Sequence, residues 1–311
     1  MLRLTAVVLA VGLLVAASAP TVAPAAPATV APRTAEVSAS GCGTGRLAGT
    51  KEHTVRAAGL TRTYHLTVPP GYTGDTRVPL VLDLHGAGSN AAQEMLLSRA
   101  RRYAAPRGWA VATLDAGRVF WFLQARNGGD VDFVQRVVQD VARRLCIAPG
   151  RRFVMGMSNG AAMSAAVTCA LPTTFAAAAS VAGMNIAGTC LERPTPLLAV
   201  HGTADPVVPY PGGDLGGRLS GLLSVPSVTS RLHGWSLRNH CTSGPTSTVV
   251  VPTVTLIEYQ GCDAPTRLLR VSRGGHTWPG GPVLPVNRYG RTSDAIDATD
   301  EIFEFFAATF T

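Results

Sequence analysis

The chain has 311 residues, 46% of them hydrophobic and 15% charged, which is enough to bury a large core and too apolar for a disordered polymer. Its formal charge of +8 rests on 27 basic residues, of which only Lys51 is a lysine, and the arginines occur singly or in pairs such as Arg101-Arg102, Arg143-Arg144 and Arg151-Arg152. No basic run is interleaved with aromatics, so a nucleic-acid partner is not expected and the arginines read as a solvated surface.

Residues 1–19 begin with Arg3, continue as an apolar run over 4–17 and end in small residues, the layout of a secretory signal peptide. The run falls short of the roughly 20 apolar residues that a membrane-spanning helix needs, so no stable membrane insertion is expected. Residues 20–41 are rich in Ala, Pro, Thr and Val without periodicity and read as a disordered linker; residues 42–311 read as one catalytic domain. Cys42, Cys146, Cys169, Cys190, Cys241 and Cys262 form an even set in a chain with an export signal, which favours disulfides. None has zinc spacing, so no metal is expected. Cys241 with Cys262 is the preferred bridge, because the strand-like segments between and after them close a local loop, and the pairing of the other four is open.

Alternation over 63–68 predicts a half-buried strand that stops at Pro69-Pro70-Gly71, and the apolar run 78–84 predicts a second, ending in His85-Gly86-Ala87-Gly88. A helix over 91–103, a strand over 109–114 and a helix over 131–145 follow, the last with Val134, Val137, Val138, Val141 and Leu145 on one stripe. Phe153, Val154 and Met155 suit a buried strand, as do residues 177–182 and 197–200. An irregular Gly/Pro/Ser-rich stretch over 211–226 precedes a helix near 229–238, strands over 254–259 and 268–271, and a last helix carrying Ile296, Ile302, Phe303 and Phe306, capped by Ser293 or Asp294. Strands alternating with helices of this length imply an α/β fold, a mostly parallel sheet flanked by helices.

The chemistry concentrates at Gly156-Met157-Ser158-Asn159-Gly160, a tight turn between an apolar strand and an Ala-rich helix. Such a turn pushes the Ser158 hydroxyl out at the carboxyl edge of the sheet, which makes it the candidate nucleophile. A serine hydroxyl needs a base, and the base an acid that holds its tautomer. His276 and Asp205 each follow a strand end, and the order Ser, Asp, His is that of α/β-hydrolases. His85 and His201 also follow strands, but in L-H-G and V-H-G turns where a structural role is expected; Asp263 and Asp294 are the rival acids. The oxyanion donors are expected to be the backbone amides of Asn159, at the start of the elbow helix, and Ala87, in the loop after residue 84.

Four blocks, Leu84-His85-Gly86-Ala87-Gly88, Gly156-Met157-Ser158-Asn159-Gly160-Ala161, the stretch from His201-Gly202-Thr203-Ala204-Asp205 to Tyr210, and Gly274-Gly275-His276-Thr277-Trp278-Pro279-Gly280, make the chain resemble the polyhydroxybutyrate depolymerase and feruloyl esterase family of secreted α/β-hydrolases. The resemblance implies a secreted serine esterase without metal or cofactor, with Ser158, Asp205 and His276 as its triad. It also implies that Trp278 lines the acyl pocket, ordinary packing being the alternative. Ala87 stands where polymer-degrading members often carry a cysteine, and no separate substrate-binding domain follows, so small or oligomeric esters are the expected substrates, among them plant-wall feruloyl esters and polyester oligomers. A serine peptidase on the same fold and a non-catalytic hydrolase-like binding protein are the alternatives.

Overall fold

Leu80, Leu82 and Leu84 join one apolar cluster while Val81, between them, joins another, and all four are fully buried. A strand buried on both sides must lie inside a sheet covered on both faces. The computed structural model describes residues 41–45, 47–123, 129–183, 193–217, 220–221 and 223–310. The expected signal peptide and all but the last residue of the expected linker lie outside them. Gly41, placed by sequence at the end of that linker, is already part of the fold: its N–H donates to Ala142 O at 3.0 Å.

The described strands are β1 (Gly49–Ala57), β2 (Leu60–Val68), β3 (Val78–Leu84), β4 (Ala110–Leu114), β5 (Ile147–Met157), β6 (Ala177–Val181), β7 (Leu197–Gly202), β8 (Gly213–Asp214), β9 (Ser224–Val225), β10 (Ser243–Val251), β11 (Val254–Gln260) and β12 (Thr266–Val271). The helices are α1 (Ala91–Ser98), α2 (Ala100–Arg107), α3 (Gly129–Arg144), α4 (Asn159–Ala170), α5 (Val228–Arg238), α6 (Val286–Tyr289) and α7 (Ala298–Ala308). Ten strands form one sheet in the order β1-β2-β4-β3-β5-β6-β7-β12-β11-β10. The six from β4 to β12 are parallel, and two antiparallel strands extend each edge. One face packs on α3, α4 and α5 through Phe133, Val137, Met163, Leu232 and Trp235; the other packs on α2 and α7 through Ala104, Phe303 and Phe306. The fold is that of the α/β-hydrolases. Among the described residues no helix is long and apolar enough to cross a membrane.

Several elements differ from the sequence reading. The helix expected over 91–103 is two helices, broken at Arg99 (φ 53°). Ser98 makes the break: its hydroxyl donates to Asp83 Oδ2 (2.7 Å) and its oxygen accepts the Ala100 N–H (3.3 Å), a local cap that apolar periodicity does not register. The last helix starts at Ala298, and its cap is Asp297, which accepts from the Thr299 and Asp300 amides, rather than Ser293 or Asp294. β1 and β10 are edge strands, exposed over most of their length, and so lack the apolar alternation that announces a strand. Cys241 and Cys262 are bonded as expected, and Cys42 is bonded to Cys146. Cys169 is also disulfide-bonded; Cys190 lies outside the described residues. By the chain-entropy account, a link closing about 100 residues is worth about 4–5 kcal/mol.

Asp83 on β3 and Glu94 on α1 are both fully buried, one turn of chain behind the His85 loop. Ser98 satisfies one Asp83 oxygen, whereas Asp83 Oδ1 and the Glu94 oxygens meet no donor among the described residues other than a proton shared between the two carboxyls. Burial therefore pushes both carboxyls up, Asp83 to about 7 and Glu94 well above the ordinary carboxylate range, with the Asp83 charge adding to the rise at Glu94. A carboxyl whose value is raised by folding contributes stability that is complete below the ordinary carboxylate pKa and lost as pH climbs through the folded value. The melting temperature should accordingly fall between pH 5 and pH 8, and Glu94→Gln, which cannot ionise, should reduce that fall; an equal fall in thermal melts of both proteins would show that the pair does not govern it.

Candidate active site

β5 ends at Met157, and the chain reverses at Ser158, whose φ of 55° and ψ of −117° lie where a non-glycine residue is strained. The strain is held by packing and hydrogen bonds on every side. The Ser158 N–H donates to Val181 O (2.8 Å), and Ser158 O accepts from Ala162 N (3.0 Å) as α4 begins. Two glycines allow the approach. A Cβ on Gly160 would stand 2.1 Å from Leu84 O, and a Cβ on Gly183 would stand 2.2 Å from Ser158 O. The elbow thus sits directly on the carboxyl end of β3, half-exposed.

His85 and Ala87 lie just beyond that end. The expectation of a structural role for His85 is met. Its Nδ1 and Gly86 O are 2.8 Å apart, and its Nε2 lies 3.0 Å from the donating Ala116 N–H, so Nδ1 carries the proton and Nε2 the lone pair. Burial holds this ring below the usual histidine range, which keeps it neutral. The Trp121 indole N–H donates to His85 O (2.9 Å) and Gly88 N donates to Val119 O (2.7 Å). The Asn159 side chain completes the lock: its Oδ1 accepts from Trp121 N (2.6 Å) and its Nδ2 donates to Trp121 O (3.2 Å). The sequence pattern points to Asn159 for its amide alone and gives no signal for Trp121, an isolated aromatic in a stretch without periodicity. As the first residue of α4, Asn159 presents an N–H with no intrahelical acceptor at the positive end of the helix dipole. Ala87 is exposed on the loop facing solvent.

Asp205 follows β7 and His276 follows β12, neighbouring parallel strands. His276 Nδ1 and Asp205 Oδ2 are 2.8 Å apart, and both side chains are buried. Asp205 Oδ1 accepts from Val207 N and Val208 N, each at 2.8 Å. Burial alone would raise this carboxyl, but hydrogen bonds from His201 and His276 outweigh it and hold Asp205 well below the ordinary carboxylate range. The two loops are tied by Ala204 N to Gly274 O (2.9 Å), and the His276 loop is held from above by His276 N to Tyr289 O (2.6 Å) and Gly275 N to Arg291 O (2.8 Å). With its Nδ1 proton committed to Asp205, His276 keeps its Nε2 lone pair for a proton. Ser158, Asp205 and His276 therefore all sit at the carboxyl edge of the parallel strands β5, β7 and β12.

The rival assignments separate here. His201 Nε2 faces Val208 O at 2.9 Å, Asp263 pairs with His240 at 2.7 Å, and Asp294 lies 3.9 Å from Arg291 on the surface. Trp278 is corrected: it is fully buried, its indole N–H donates to Thr299 Oγ1 (2.9 Å), and it belongs to the core beneath α7. A side chain enclosed by its own core has no face for an acyl group, and packing is the role it fills.

The Esterase PHB depolymerase family matches residues 62–190 of the chain. The protein named "Putative esterase NocK" of Nocardia uniformis subsp. tsuyamanensis is 28% identical over 294 residues, 83% of each chain. Feruloyl esterase B of Piromyces equi is 30% identical over 229 residues, 67% of this chain and 41% of that one. Among solved structures, an acetyl xylan esterase from Aspergillus awamori superposes with a TM-score of 0.60 at 14% identity, covering 83% of this chain and 99% of that one, a likeness of fold.

The Leu84 carbonyl lies where a methyl on Gly160 would have to go. Gly160→Ala should cost more than about 3 kcal/mol, because backbone rather than a flexible side chain must yield; chemical denaturation would measure it, and a loss below about 1 kcal/mol would mean that the elbow is not pressed against β3.

Proposed function

Because the chain belongs to the polyhydroxybutyrate depolymerase and feruloyl esterase family of ester hydrolases, we propose that Ser158, Asp205 and His276 are its catalytic triad and that it works through an acyl-enzyme. The observation that carries this reading is the buried His276–Asp205 hydrogen bond of 2.8 Å at the same sheet edge as the strained Ser158. His276 takes the Ser158 proton on Nε2 while the serine oxygen attacks the ester carbonyl. The Asn159 and Ala87 amides stabilise the oxyanion, and losing one such donor would cost about 3 kcal/mol in the barrier. His276 then gives its proton to the leaving alcohol, and water repeats the sequence on the acyl group. No metal or cofactor is required by these steps. Asp205, held below the ordinary carboxylate range, stays ionised throughout, so it adds no titration of its own near neutrality.

We propose a secreted enzyme that takes small or oligomeric carboxylic esters, with feruloyl, short acyl and hydroxyalkanoate groups as candidates. The disulfides and the signal-like first 19 residues support export. The names of the relatives support the aromatic acyl group, and Ala87 at the oxyanion loop supports soluble substrates over polymer.

Hydrolysis of a short-chain acyl ester, methyl ferulate and a hydroxybutyrate oligomer should be compared side by side. One class should be turned over far faster than the others, and Ser158→Ala should lower kcat/KM by at least about 10⁴-fold while melting as the parent does. A pure Ser158→Ala sample that keeps its esterase activity would sink the assignment.

A further inference from the structure

The Asp205 carboxylate has three hydrogen-bond partners and, beside them, a second imidazole that the orientation of a catalytic histidine does not require. Val207 N and Val208 N take Oδ1, and His276 takes Oδ2. The second imidazole is His201, on the last residues of β7, whose Nε2 stands 3.3 Å from Oδ2 and 2.9 Å from Val208 O. A carbonyl oxygen only accepts, so Nε2 of His201 carries a proton, which it donates to Val208 O with the Asp205 carboxylate 3.3 Å away beside it. His201 is almost fully buried, and its N–H group lies within 3.3 Å of the same oxygen that His276 uses.

We infer that His201 is a positioning residue for the proposed ester hydrolysis, a second imidazole N–H on Asp205 that fixes which oxygen faces His276 and divides that oxygen's charge between two rings. The inference rests on the triad reading above. During attack His276 becomes an imidazolium, stabilised by the charge on Asp205. A charge already shared with His201 stabilises that cation less, so His276 gives its proton to the leaving alcohol more readily. Without His201 the whole of Oδ2 would face His276, and the ring would hold its proton more tightly.

The other ionisable groups around this trio are few. Arg231 on α5 acts on Asp205 electrostatically. Tyr210 sets its ring edge against His201 at 6.1 Å between centroids. Arg270 on β12 is in register with His201 but donates to Thr255 Oγ1 (3.3 Å), and Tyr289 lies beside the His276 ring, 6.4 Å between centroids. None of them offers Oδ2 an imidazole N–H.

The test is the pH dependence of kcat/KM for a soluble short-acyl ester. In His201→Phe the acidic limb should move to higher pH by about half a unit or more, since Asp205 then has one ring instead of two to stabilise. His201→Gln, whose amide restores an N–H at similar reach, should return the limb toward its original position. A role in packing alone would lower the melting temperature or kcat without moving the limb, so a folded, active His201→Phe enzyme with an unmoved limb overturns the inference. Should that variant not fold, nitrogen-15 shifts of the histidines in the unaltered protein decide instead: a protonated Nε2 on His201 supports the inference, and an unprotonated one overturns it. These outcomes are separate from failure of the triad, which would appear as activity retained in Ser158→Ala.

Discussion

The site depends on how closely the backbone of α4 approaches the end of β3. Gly160 rests on the Leu84 and His85 carbonyls, and Gly183 rests on the Ser158 backbone, at distances where any side chain would collide. That contact fixes the serine against the loop that carries Ala87, without any side chain between them. It also explains why the strained conformation of Ser158 persists. Strain of this kind costs about 1–3 kcal/mol, and it survives only where neighbouring strands leave the residue no room to relax.

From that contact the rest of the edge is built by paired loops rather than by single residues. The β3 loop is held by the segment after β4 through His85, Trp121 and the Asn159 side chain. The β7 loop is held by the β12 loop through Ala204, and the β12 loop by the segment from Tyr289 to Arg291. Both systems place a neutral or hydrogen-bonded histidine in an H-G turn at the end of a buried strand. His85 ties the loop after β3 to Ala116, and His201 ties the end of β7 to Val208. A common local sequence, strand then His-Gly, thus serves the same purpose at two places: a ring nitrogen reaches across to an amide or carbonyl that a plain loop would leave unpaired.

The parallel sheet, and the placement of Ser158, Asp205 and His276 just past strand ends, were legible because each depends on a local pattern: a buried run followed by a turn with a polar residue. The Cys241–Cys262 bridge was legible for a similar reason, since the cysteines flank one loop. What escaped was set by partners distant in sequence. The break at Arg99 depends on Ser98 reaching Asp83, and the cap at Asp297 is chosen over Ser293 and Asp294 by where the chain meets α2. The edge strands β1 and β10 carry too little apolar alternation to be seen. Trp278 looked like a pocket residue because it stands two positions from His276, yet the turn at Pro279 directs it under α7, where Thr299 meets its indole. Adjacency in sequence to a functional residue says nothing about which side of the sheet a side chain enters.

The buried acids show two opposite ways of handling the same chemistry. Asp205 is removed from water but given two amides and the His276 ring as hydrogen-bond partners, with the His201 ring 3.3 Å away, so its charge is retained. Asp83 and Glu94 are removed from water with each other and a single serine, which donates to Asp83, so burial favours the protonated form. The difference matters because Asp83 is only two residues from His85. A full negative charge there would compete with the oxyanion that the Ala87 and Asn159 amides are proposed to hold, and raising both carboxyls reduces that charge. One carboxylate keeps its charge through its donors, and two are pushed toward the protonated form by the lack of them, which limits the negative charge beside the loop where an oxyanion is proposed to form.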